Sequence, residues 1–502
     1  MEIHHNVSDL NSFKRKMAKK YNISCPKSID LLKTYHKLVK EKRIKRNKKI
    51  EEFLKLRPVR SLSGIVNVSV LLKPYPCKGK CIFCPKEKGL PKSYLKKEPA
   101  VQRAVLNKFH PFFQTKTRLE SLKLTGHPTD KIELRIIGGT WSQYPKNYQT
   151  WFVKQCFRAC NNSKTKSLEK LQKENEKAKR RIIGITIETR PDCIDLKEIK
   201  RMRTLGITRV ELGVQTVYND ILKINKRGHT IKETIKATKL LKDNGFKVSY
   251  QLMPNLKGSS PKKDIEMFRV IFSNPDFRPD LIKIYPLALV KSAPLHKDFK
   301  KGNYKPYSKE KLINLLAEIK EQIPLWCRIE RVIRDIPPQY IVKGAKTLNL
   351  REIVQKRMKQ KCKCIRCREV KGSYKKEKLY LFKEEYEASK GKEIFLSYEN
   401  KNRTRLYALL RLRIRESENI LPVLKNAALI REIHTYGQMT EIGKKSISAQ
   451  HKGLGKKLIR EAEKISKLYY NRIAVISGVG VRNYWRQLGY KIIGHGYMAK
   501  IL

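Results

Sequence analysis

The sequence predicts an α/β protein in which a partial (β/α)6 barrel of the TIM type precedes a smaller α+β domain. Three observations support this fold class. Six short apolar runs alternate with helical segments, three clustered cysteines follow the first run, and a glycine-rich loop introduces an amphipathic helix near the C-terminus. A chain of 502 residues also exceeds what one hydrophobic core usually organises, which favours two or three domains.

The predicted barrel strands are β-branched runs separated by helical stretches. The runs are 64–72, 131–139, 181–189, 209–216, 247–254 and 280–287. One intervening helix, "IKETIKATKLLKDNG", ends at Gly245 as a C-cap. Strand–helix alternation indicates a parallel sheet with right-handed crossovers, and six runs favour a partial barrel. Chemistry is expected at the carboxyl ends of the strands, where Gly138, Gly139, Glu188, Arg190, Gln215, Lys283 and Tyr285 lie.

The cysteine cluster "CKGKCIFC" places Cys77, Cys81 and Cys84 within eight residues. A structural zinc site takes four protein ligands, and a disulfide framework takes an even number of cysteines. Three thiolates instead suit three irons of a 4Fe-4S cube, and the open fourth iron can bind the amino and carboxylate groups of S-adenosylmethionine (SAM). Glu188 and Arg190 are expected to bind the charged groups of SAM. Gly138 and Gly139 are expected to let SAM approach the backbone closely. The alternative is a three-cysteine zinc site completed by a distant histidine.

A glycine loop near the C-terminus predicts a second cofactor site. "QHKGLG", which includes Gln450, His451, Gly453 and Gly455, precedes the amphipathic "KKLIREAEKI", so its backbone N–H groups suit a pyrophosphate. A strand ("IAVISG") and then "NYWRQLGY" follow, which is the acyl-CoA-binding order of GCN5-related (GNAT) acetyltransferases. His434, in "REIHTYG", is a candidate base or thioester contact, and the alternative is a structural histidine.

The charge of the chain indicates a polyanionic partner. There are 113 Lys and Arg residues against 46 Asp and Glu, a formal net charge of +67, while 40% of residues are hydrophobic. A folded protein with such a surface is expected to bind nucleic acid, although lysines that only solvate helices are the alternative. Residues 1–56 are predicted to be a basic helical RNA-binding extension, and 161–180 a charged insert at the periphery. No signal peptide or membrane span is predicted, so a cytoplasmic protein without a membrane partner is expected.

The chain resembles the family of Elongator catalytic subunits, which combine radical-SAM and acetyltransferase domains. The resemblance runs from about residue 57 to the C-terminus in motifs such as "KPYPCKGKCIFCP", "GITIETRPD", "ELGVQTVY", "NKRGHT", "CKCIRCREV" and "VISGVGVRNYWRQLGY". It implies a radical-SAM barrel at 57–350, a Cys-rich linker at 351–378 and a GNAT-like domain at 379–502. It also implies synthesis of 5-carboxymethyluridine on tRNA, in which a deoxyadenosyl radical abstracts hydrogen from the acetyl methyl group of acetyl-CoA.

The resemblance further assigns individual residues. Cys77, Cys81 and Cys84 would hold the cluster. The residues that would contact acetyl-CoA are Lys131, Glu432, Ile433, His434, Thr435, Ala449, Gln450 and His451. Cys362, Cys364 and Cys367 resemble a zinc site whose fourth ligand is not identified, and the alternative is a reduced cysteine cluster without metal.

One departure from the family concerns Tyr484 and Trp485. In acetyltransferases a tyrosine that corresponds to Trp485 protonates the departing CoA thiolate, and an indole cannot serve as that acid. Direct transfer to lysine would therefore need Tyr484 as the acid, which leaves Lys131, His434 and Tyr484 as the candidate catalytic residues. This weakens the alternative of a protein lysine acetyltransferase with a structural iron–sulfur domain. A methylthiotransferase and a non-catalytic RNA scaffold fit the motifs less well.

The expected macromolecular partner is the anticodon stem-loop of tRNA. Basic N-terminal helices and a lysine-rich barrel face would hold its phosphates, and the target uridine would be flipped into the barrel mouth. Binding of this kind is expected to weaken steeply with salt. An electron donor is also required, and the chain is expected to act alone, as a homodimer or with Elongator-like subunits.

Overall fold

The structure, a computed structural model, describes residues 7–57, 61–347, 349–371, 377–415, 418–437 and 453–502. Three helices open the chain: α1 (Val7–Lys20), α2 (Ser28–Lys40) and α3 (Lys48–Leu54). Their shared apolar cluster is small, with Leu32, Tyr35 and Leu54 as its buried members. The side chain of Asn47 accepts a hydrogen bond from the Lys49 N–H and so caps α3.

The middle of the chain forms a curled parallel sheet covered by helices. Its elements are β1 (Val66–Leu71), α4 (Pro99–Leu106), α5 (Pro111–Leu124), β2 (Lys131–Ile137), α6 (Lys146–Asn161), α7 (Leu168–Asn175), β3 (Arg181–Thr189), α8 (Leu196–Thr204), β4 (Arg209–Gln215), α9 (Asn219–Ile224), α10 (Ile231–Asp243), β5 (Lys247–Leu252), α11 (Pro261–Ser273), β6 (Leu281–Ile284), β7 (Ala288–Val290), α12 (Leu295–Lys300), α13 (Lys309–Glu321), β8 (Arg328–Arg331), β9 (Ile341–Gly344), α14 (Leu350–Arg357) and α15 (Ile365–Arg368).

The strand order of this sheet is β1-β2-β3-β4-β5-β6-β8, and every neighbouring pair is parallel. The partial barrel is therefore confirmed, with a strand for each of the six predicted runs. The seventh strand, β8, was not predicted because its sequence, "RIER", is short and charged. Its charges are accommodated because Arg328 and Glu330 are paired with opposite charges in the barrel region.

The C-terminal part forms a second sheet crossed by one long helix. Its elements are β10 (Tyr380–Glu387), β11 (Lys392–Glu399), β12 (Leu406–Ile414), β13 (Ala428–Thr435), α16 (Leu454–Ser466), β14 (Arg472–Val475), α17 (Arg482–Arg486), β15 (Lys491–Ile493) and β16 (Tyr497–Ile501). The order is β10-β11-β12-β13-β14-β16-β15, and β13–β14 is its one parallel pair among the described strands. Strand β12 is buried along its whole length because α16 covers one face of the sheet and the barrel covers the other.

The second sheet packs against the amino ends of the barrel strands. Gly478 contacts β3 so closely that a Cβ atom there would lie 1.9 Å from the carbonyl oxygen of Ile183. The buried Arg203 of α8 donates hydrogen bonds across the same boundary to the carbonyls of Ser477 and Gly496.

The charged insert at 161–180 is more than a peripheral element, which corrects the sequence-based expectation. Within it, Leu171 and Asn175 of α7 are fully buried. The buried Glu176 forms ion pairs with Arg482 and Arg486 at 3.2 and 2.6 Å. The insert therefore links the barrel to the C-terminal domain, a long-range contact that its local composition does not reveal.

Candidate functional site

A cavity of about 810 Å³ opens at the carboxyl ends of the barrel strands. Cys77, Cys81 and Cys84 all line it, after the loop that leaves β1. The predicted residues that share its wall are Gly139, Glu188, Arg190, Gln215, Lys283 and Tyr285. Gly138 lies just behind the wall, where its positive φ and the close Leu72 backbone leave no room for a side chain.

The surroundings of the three cysteines fit an anionic iron–sulfur cluster. The Arg227 guanidinium donates to the Cys81 sulfur at 3.5 Å. A Cβ atom at Gly79 would lie 3.5 Å from the Cys77 sulfur and only 2.9 Å from the Arg190 guanidinium, so a glycine is needed between thiols and cation.

Arg190 was expected to hold charges of SAM, but its donors already have protein partners. They bind the carbonyls of Arg227 and Gly228, each at 2.8 Å, and the carboxylate of Asp192. Burial opposes the charge of Arg190, yet the hydrogen-bonded Asp192 raises its pKa. In this arrangement Arg190 fixes the loop that presents Arg227 to Cys81.

Glu188 and Lys283 form the polar floor of the cavity. The Glu188 carboxylate accepts hydrogen bonds from the Tyr94 hydroxyl at 2.9 Å and from the Gln251 amide at 3.2 Å, and it lies 3.9 Å from the Lys283 ammonium. Burial raises the pKa of Glu188. Burial also opposes ionisation of Glu211, but its ion pairs with Lys283 and Arg135 lower its pKa to about 2.

Ion pairs continue down the barrel interior towards the C-terminal domain. Arg135 pairs with Glu211 at 2.5 Å, and Arg209 pairs with Glu330 at 3.0 Å and Glu133 at 3.2 Å. The side chains of the two arginines and their partners are at most 12% exposed, so each charge depends on its neighbours. The barrel therefore has a charged lumen between its two ends.

Strand β13 brings the predicted acetyl-CoA residues to the opposite end of this lumen. Its side chains alternate between two directions, as in any strand. Glu432 and His434 reach the barrel: Glu432 pairs with Lys247 at 3.3 Å, and the His434 Nε2 lies 2.8 Å from the Ser63 carbonyl oxygen. Ile433 and Thr435 point the other way, towards Gly455 at the start of α16.

The amino end of α16 fits an anionic group. Gly453 adopts a left-handed conformation with φ of 70°, and its N-cap position provides no side-chain hydrogen bond to the first N–H groups of the helix, which are groups suited to an anion. A Cβ atom at Gly455 would lie 3.3 Å from the Tyr484 hydroxyl and 3.6 Å from the Thr435 hydroxyl. Beside it, β13 pairs with β14 only through Ala428–Ile430, so the two strands separate where the helix begins.

The other predicted acetyl-CoA residues have different positions. Lys131 begins β2 at the barrel end near the C-terminal domain, and burial lowers its pKa. Burial likewise lowers the pKa of His434 and raises that of Tyr484. Trp485 is not brought to Gly455: it is buried in the apolar core between Tyr484 and Tyr490. Ala449, Gln450 and His451 lie outside the described residues.

The linker cysteines form a compact group. The sulfurs of Cys362, Cys364 and Cys367 all lie within 4.8 Å of one another. Hydrogen bonds from the other two thiols lower the pKa of Cys364 well below its usual value, which favours the thiolate that a soft metal ion needs. No His, Asp, Glu or further Cys of the described residues joins them within that distance.

Three residues of the cavity were missed by the sequence reasoning. Arg227 lies in "NKRGHT", which carried the resemblance but no assigned role, while Tyr94 and Lys92 lie in an irregular loop after the cysteines. Lys92 donates to the Gly79 carbonyl, and Tyr94 donates to Glu188. For Arg227, the signal in the sequence was that it lies in a motif that carried the resemblance.

Comparison with known proteins agrees with this geometry. The Radical SAM superfamily matches residues 75–271, and the Radical SAM C-terminal domain matches 279–360. The Radical SAM match implies a 4Fe-4S cluster and SAM. None of the helices in the described part of the chain has the length and apolar character needed to cross a bilayer.

Named relatives cover both domains. A tRNA uridine(34) acetyltransferase of Methanocaldococcus jannaschii is 48% identical over 89% of this chain and 86% of its own length. Human Elongator complex protein 3 is 37% identical over 98% of this chain and 93% of its own length. The solved structure of the archaeal Methanocaldococcus infernus Elp3 with an N-terminal deletion covers 88% of this chain and all of its own, with a TM-score of 0.77 and 42% identity. The chain belongs to the family of tRNA uridine(34) acetyltransferases and Elongator complex protein 3.

Proposed function

We propose that the chain modifies the wobble uridine of tRNA by adding an acetyl-CoA-derived carboxymethyl group to carbon 5 through SAM-dependent radical chemistry. The observation that carries the proposal is the placement of two sites on one barrel. A three-cysteine cavity opens at the carboxyl ends of its strands. The second site is the gap between β13 and β14 beside the amino end of α16, in the C-terminal domain that packs against the other end of the barrel. The names of the relatives supply the substrate, uridine 34 of tRNA.

In the barrel, Cys77, Cys81 and Cys84 would hold the cluster. When bound, the cluster supplies the electron that cleaves SAM. Arg227 stabilises negative charge on Cys81, and Arg190 keeps Arg227 in place. Glu188, Gln215 and Tyr285 surround the space that SAM and the base would share, and the Tyr94 hydroxyl holds the Glu188 carboxylate in one orientation.

In the C-terminal domain, the start of α16 would hold the pyrophosphate of acetyl-CoA. Gly453 and Gly455 leave the helix N–H groups accessible, and the Thr435 and Tyr484 hydroxyls lie beside them. Glu432 and His434, on the opposite side of the same strand, face the charged lumen together with Lys131. Acetyl-CoA would therefore bind with its thioester near the barrel. Trp485 is enclosed in the core, whereas the phenolic hydroxyl of Tyr484 lies beside Gly455.

The remaining partners follow from the charge and the cysteine sites. The tRNA anticodon stem-loop would bind the basic face of the barrel and the N-terminal helices, and an electron donor would reduce the cluster. We also propose that Cys362, Cys364 and Cys367 bind zinc and that the domain limits are those expected from the sequence. The protein would act in the cytoplasm, either alone, as a homodimer or with Elongator-like subunits. The alternative activity, lysine acetylation of proteins, would not require the three-cysteine cavity.

Anaerobic reconstitution of the full chain with iron and sulfide tests the proposal. The protein is incubated with dithionite, SAM, acetyl-CoA and tRNA, and digested nucleosides are analysed by mass spectrometry. Carboxymethyluridine that requires both cosubstrates is expected. Carboxymethyluridine should be absent with Cys81→Ala and should still form with the matched control Cys25→Ala. Cys25 is exposed and lies far along the sequence from the cysteines of the cavity. Cluster-dependent formation of 5′-deoxyadenosine without modified uridine would contradict the substrate assignment.

A further inference from the structure

A continuous row of aromatic side chains starts beside the cysteine cavity and runs over the outside of the barrel. Its members, here called the aromatic row, are Tyr75, Tyr144, Tyr148, Trp151, His110 and Phe113. Successive ring centroids along this order are 4.9, 5.5, 5.5, 5.2 and 4.9 Å apart. The row could not be predicted from the sequence, because its members come from three separate segments.

The inner end of the row is attached to the cluster loop. Tyr75 lies two residues before Cys77. The Tyr144 hydroxyl donates to the carbonyls of Lys73 and Gly138, at 2.7 and 3.1 Å, and the Tyr148 hydroxyl accepts from the Lys73 N–H at 3.2 Å. The row therefore starts on the loop whose cysteines line the cavity into which the uridine would enter.

The outer end of the row is accessible and basic. A second cavity, of about 320 Å³, is lined by Lys73, Lys108, Phe109, His110, Tyr148 and Trp151. Phe113, at the end of the row, is 52% exposed. The Lys73 ammonium lies 4.9 Å from the Tyr148 ring centroid. Tyr144 is covered by the core, whereas the rings of Tyr148, Trp151 and His110 border a cavity with two lysines.

Two further features of this cavity point to a ligand. The His110 Nδ1 is buried and has no hydrogen-bond partner among the residues that the structure describes. Lys108 and Phe109 both have positive φ values, of 48° and 55°, a conformation that is unfavourable for non-glycine residues and is common at binding sites. The cavity thus offers two cations and several aromatic faces.

We propose that the aromatic row is a stacking platform for unpaired anticodon-loop nucleotides that flank the modified uridine, an inference that rests on the proposed function. Bases of single-stranded RNA stack on aromatic side chains, while lysines bind the phosphates between them. The row supplies the rings, and Lys73 and Lys108 supply the cations. A flipped uridine leaves its neighbours unstacked, so a platform at the cavity rim would compensate for the stacking that they lose.

The test uses the full chain and anticodon stem-loop RNAs that carry 2-aminopurine on either side of the target uridine. Stacking on the row should quench the fluorescence of at least one of these probes. Phe113→Ala and Trp151→Ala should abolish the quenching and raise the Kd about 10- to 100-fold. Trp151→Phe should largely restore both, which separates stacking from folding. RNA-independent SAM cleavage with dithionite should be unchanged.

A matched control is Tyr469→Ala. Tyr469 is 44% exposed and has Lys392 5.4 Å from its ring centroid, but it lies in the C-terminal domain. Row variants that stay within twofold of this control in quenching and Kd would overturn the proposal. It would also be overturned if they slowed turnover only with a protein electron donor and not with dithionite, because the row would then dock that donor.

The two proposals can fail separately. A wild-type chain that quenches the probe in a row-dependent way but forms no modified uridine would refute the proposed reaction and leave the platform intact. A chain that modifies uridine without any row-dependent quenching would refute the platform alone.

Discussion

Replacement of Asp280 by asparagine is expected to destabilise the junction between the two domains strongly. Asp280 directly precedes β6 and is fully buried. Its carboxylate accepts from the Val248 N–H at 2.8 Å and from Arg431 at 3.0 Å, and it lies 3.7 Å from Arg411 and 3.9 Å from Lys242. The two arginines belong to the C-terminal sheet, so this one carboxylate joins both domains.

The size of the expected loss of stability follows from the charged groups that remain buried in Asp280→Asn. Asparagine removes the negative charge and directs N–H donors at guanidinium groups that are themselves donors. Glu393 and Glu432 remain as anions, but three buried cations then lack their central partner. Removing one member of a buried ion pair costs about 3 to 5 kcal/mol. We expect a loss of that size in the free energy of unfolding.

Urea unfolding, followed by circular dichroism and tryptophan fluorescence, measures this loss. The matched control is Asp220→Asn, which breaks an ion pair with Lys263 at 3.1 Å whose side chains are 57% and 46% exposed. Exposed pairs contribute about 0 to 1 kcal/mol. If Asp280→Asn destabilised the protein no more than the control does, the reasoning from buried charge would be refuted.

The effect should also depend on pH. Burial opposes ionisation of Asp280, but Arg431, Lys242 and Arg411 hold its pKa far below the usual value. Its contribution is therefore fully present above the unfolded-state pKa of about 4 and is lost as the pH falls below that value. The difference in stability between wild type and Asp280→Asn should narrow progressively below about pH 4. A stability difference that stays constant down to pH 2 would contradict the expected direction of the pH dependence.

Three further predictions concern other parts of the molecule. Gly478→Ala should lower the melting temperature by several degrees, because its Cβ would lie 1.9 Å from a β3 carbonyl oxygen; an unchanged melting curve would exclude the close contact. Gly455→Val should weaken acetyl-CoA binding at least tenfold by calorimetry, since its side chain would fill the space beside the Tyr484 hydroxyl, while the far-ultraviolet circular dichroism stays the same. Cys364→Ser should remove zinc but retain iron in elemental analysis of the reconstituted protein, and equal loss of both metals would refute separate sites.

The barrel could be predicted from the sequence because its signals are local. Each predicted run became a strand since β-branched residues at successive positions suit a sheet buried on both faces. The cysteine spacing indicated a cluster because ligand number and type decide which metal group can bind. Strand β8 escaped detection because its charges are matched by Arg209 of β4 and by Glu369 after α15, partners that no local apolar pattern reveals.

The sequence by itself determined which chemical groups are available: three closely spaced thiols, a glycine-led helix and a basic surface. Only the tertiary structure decided how they are used. It directs Arg190 to backbone carbonyls and Asp192, encloses Trp485 in the core, and turns Glu432 and His434 towards the barrel. The Arg190 contacts with the carbonyls of Arg227 and Gly228 span 37 and 38 residues. The contacts of Glu432 with Lys247 and of His434 with Ser63 span 185 and 371 residues, and the packing of two domains selects them. Periodicity and motif spacing describe only neighbours along the chain, so they carry no information about such contacts.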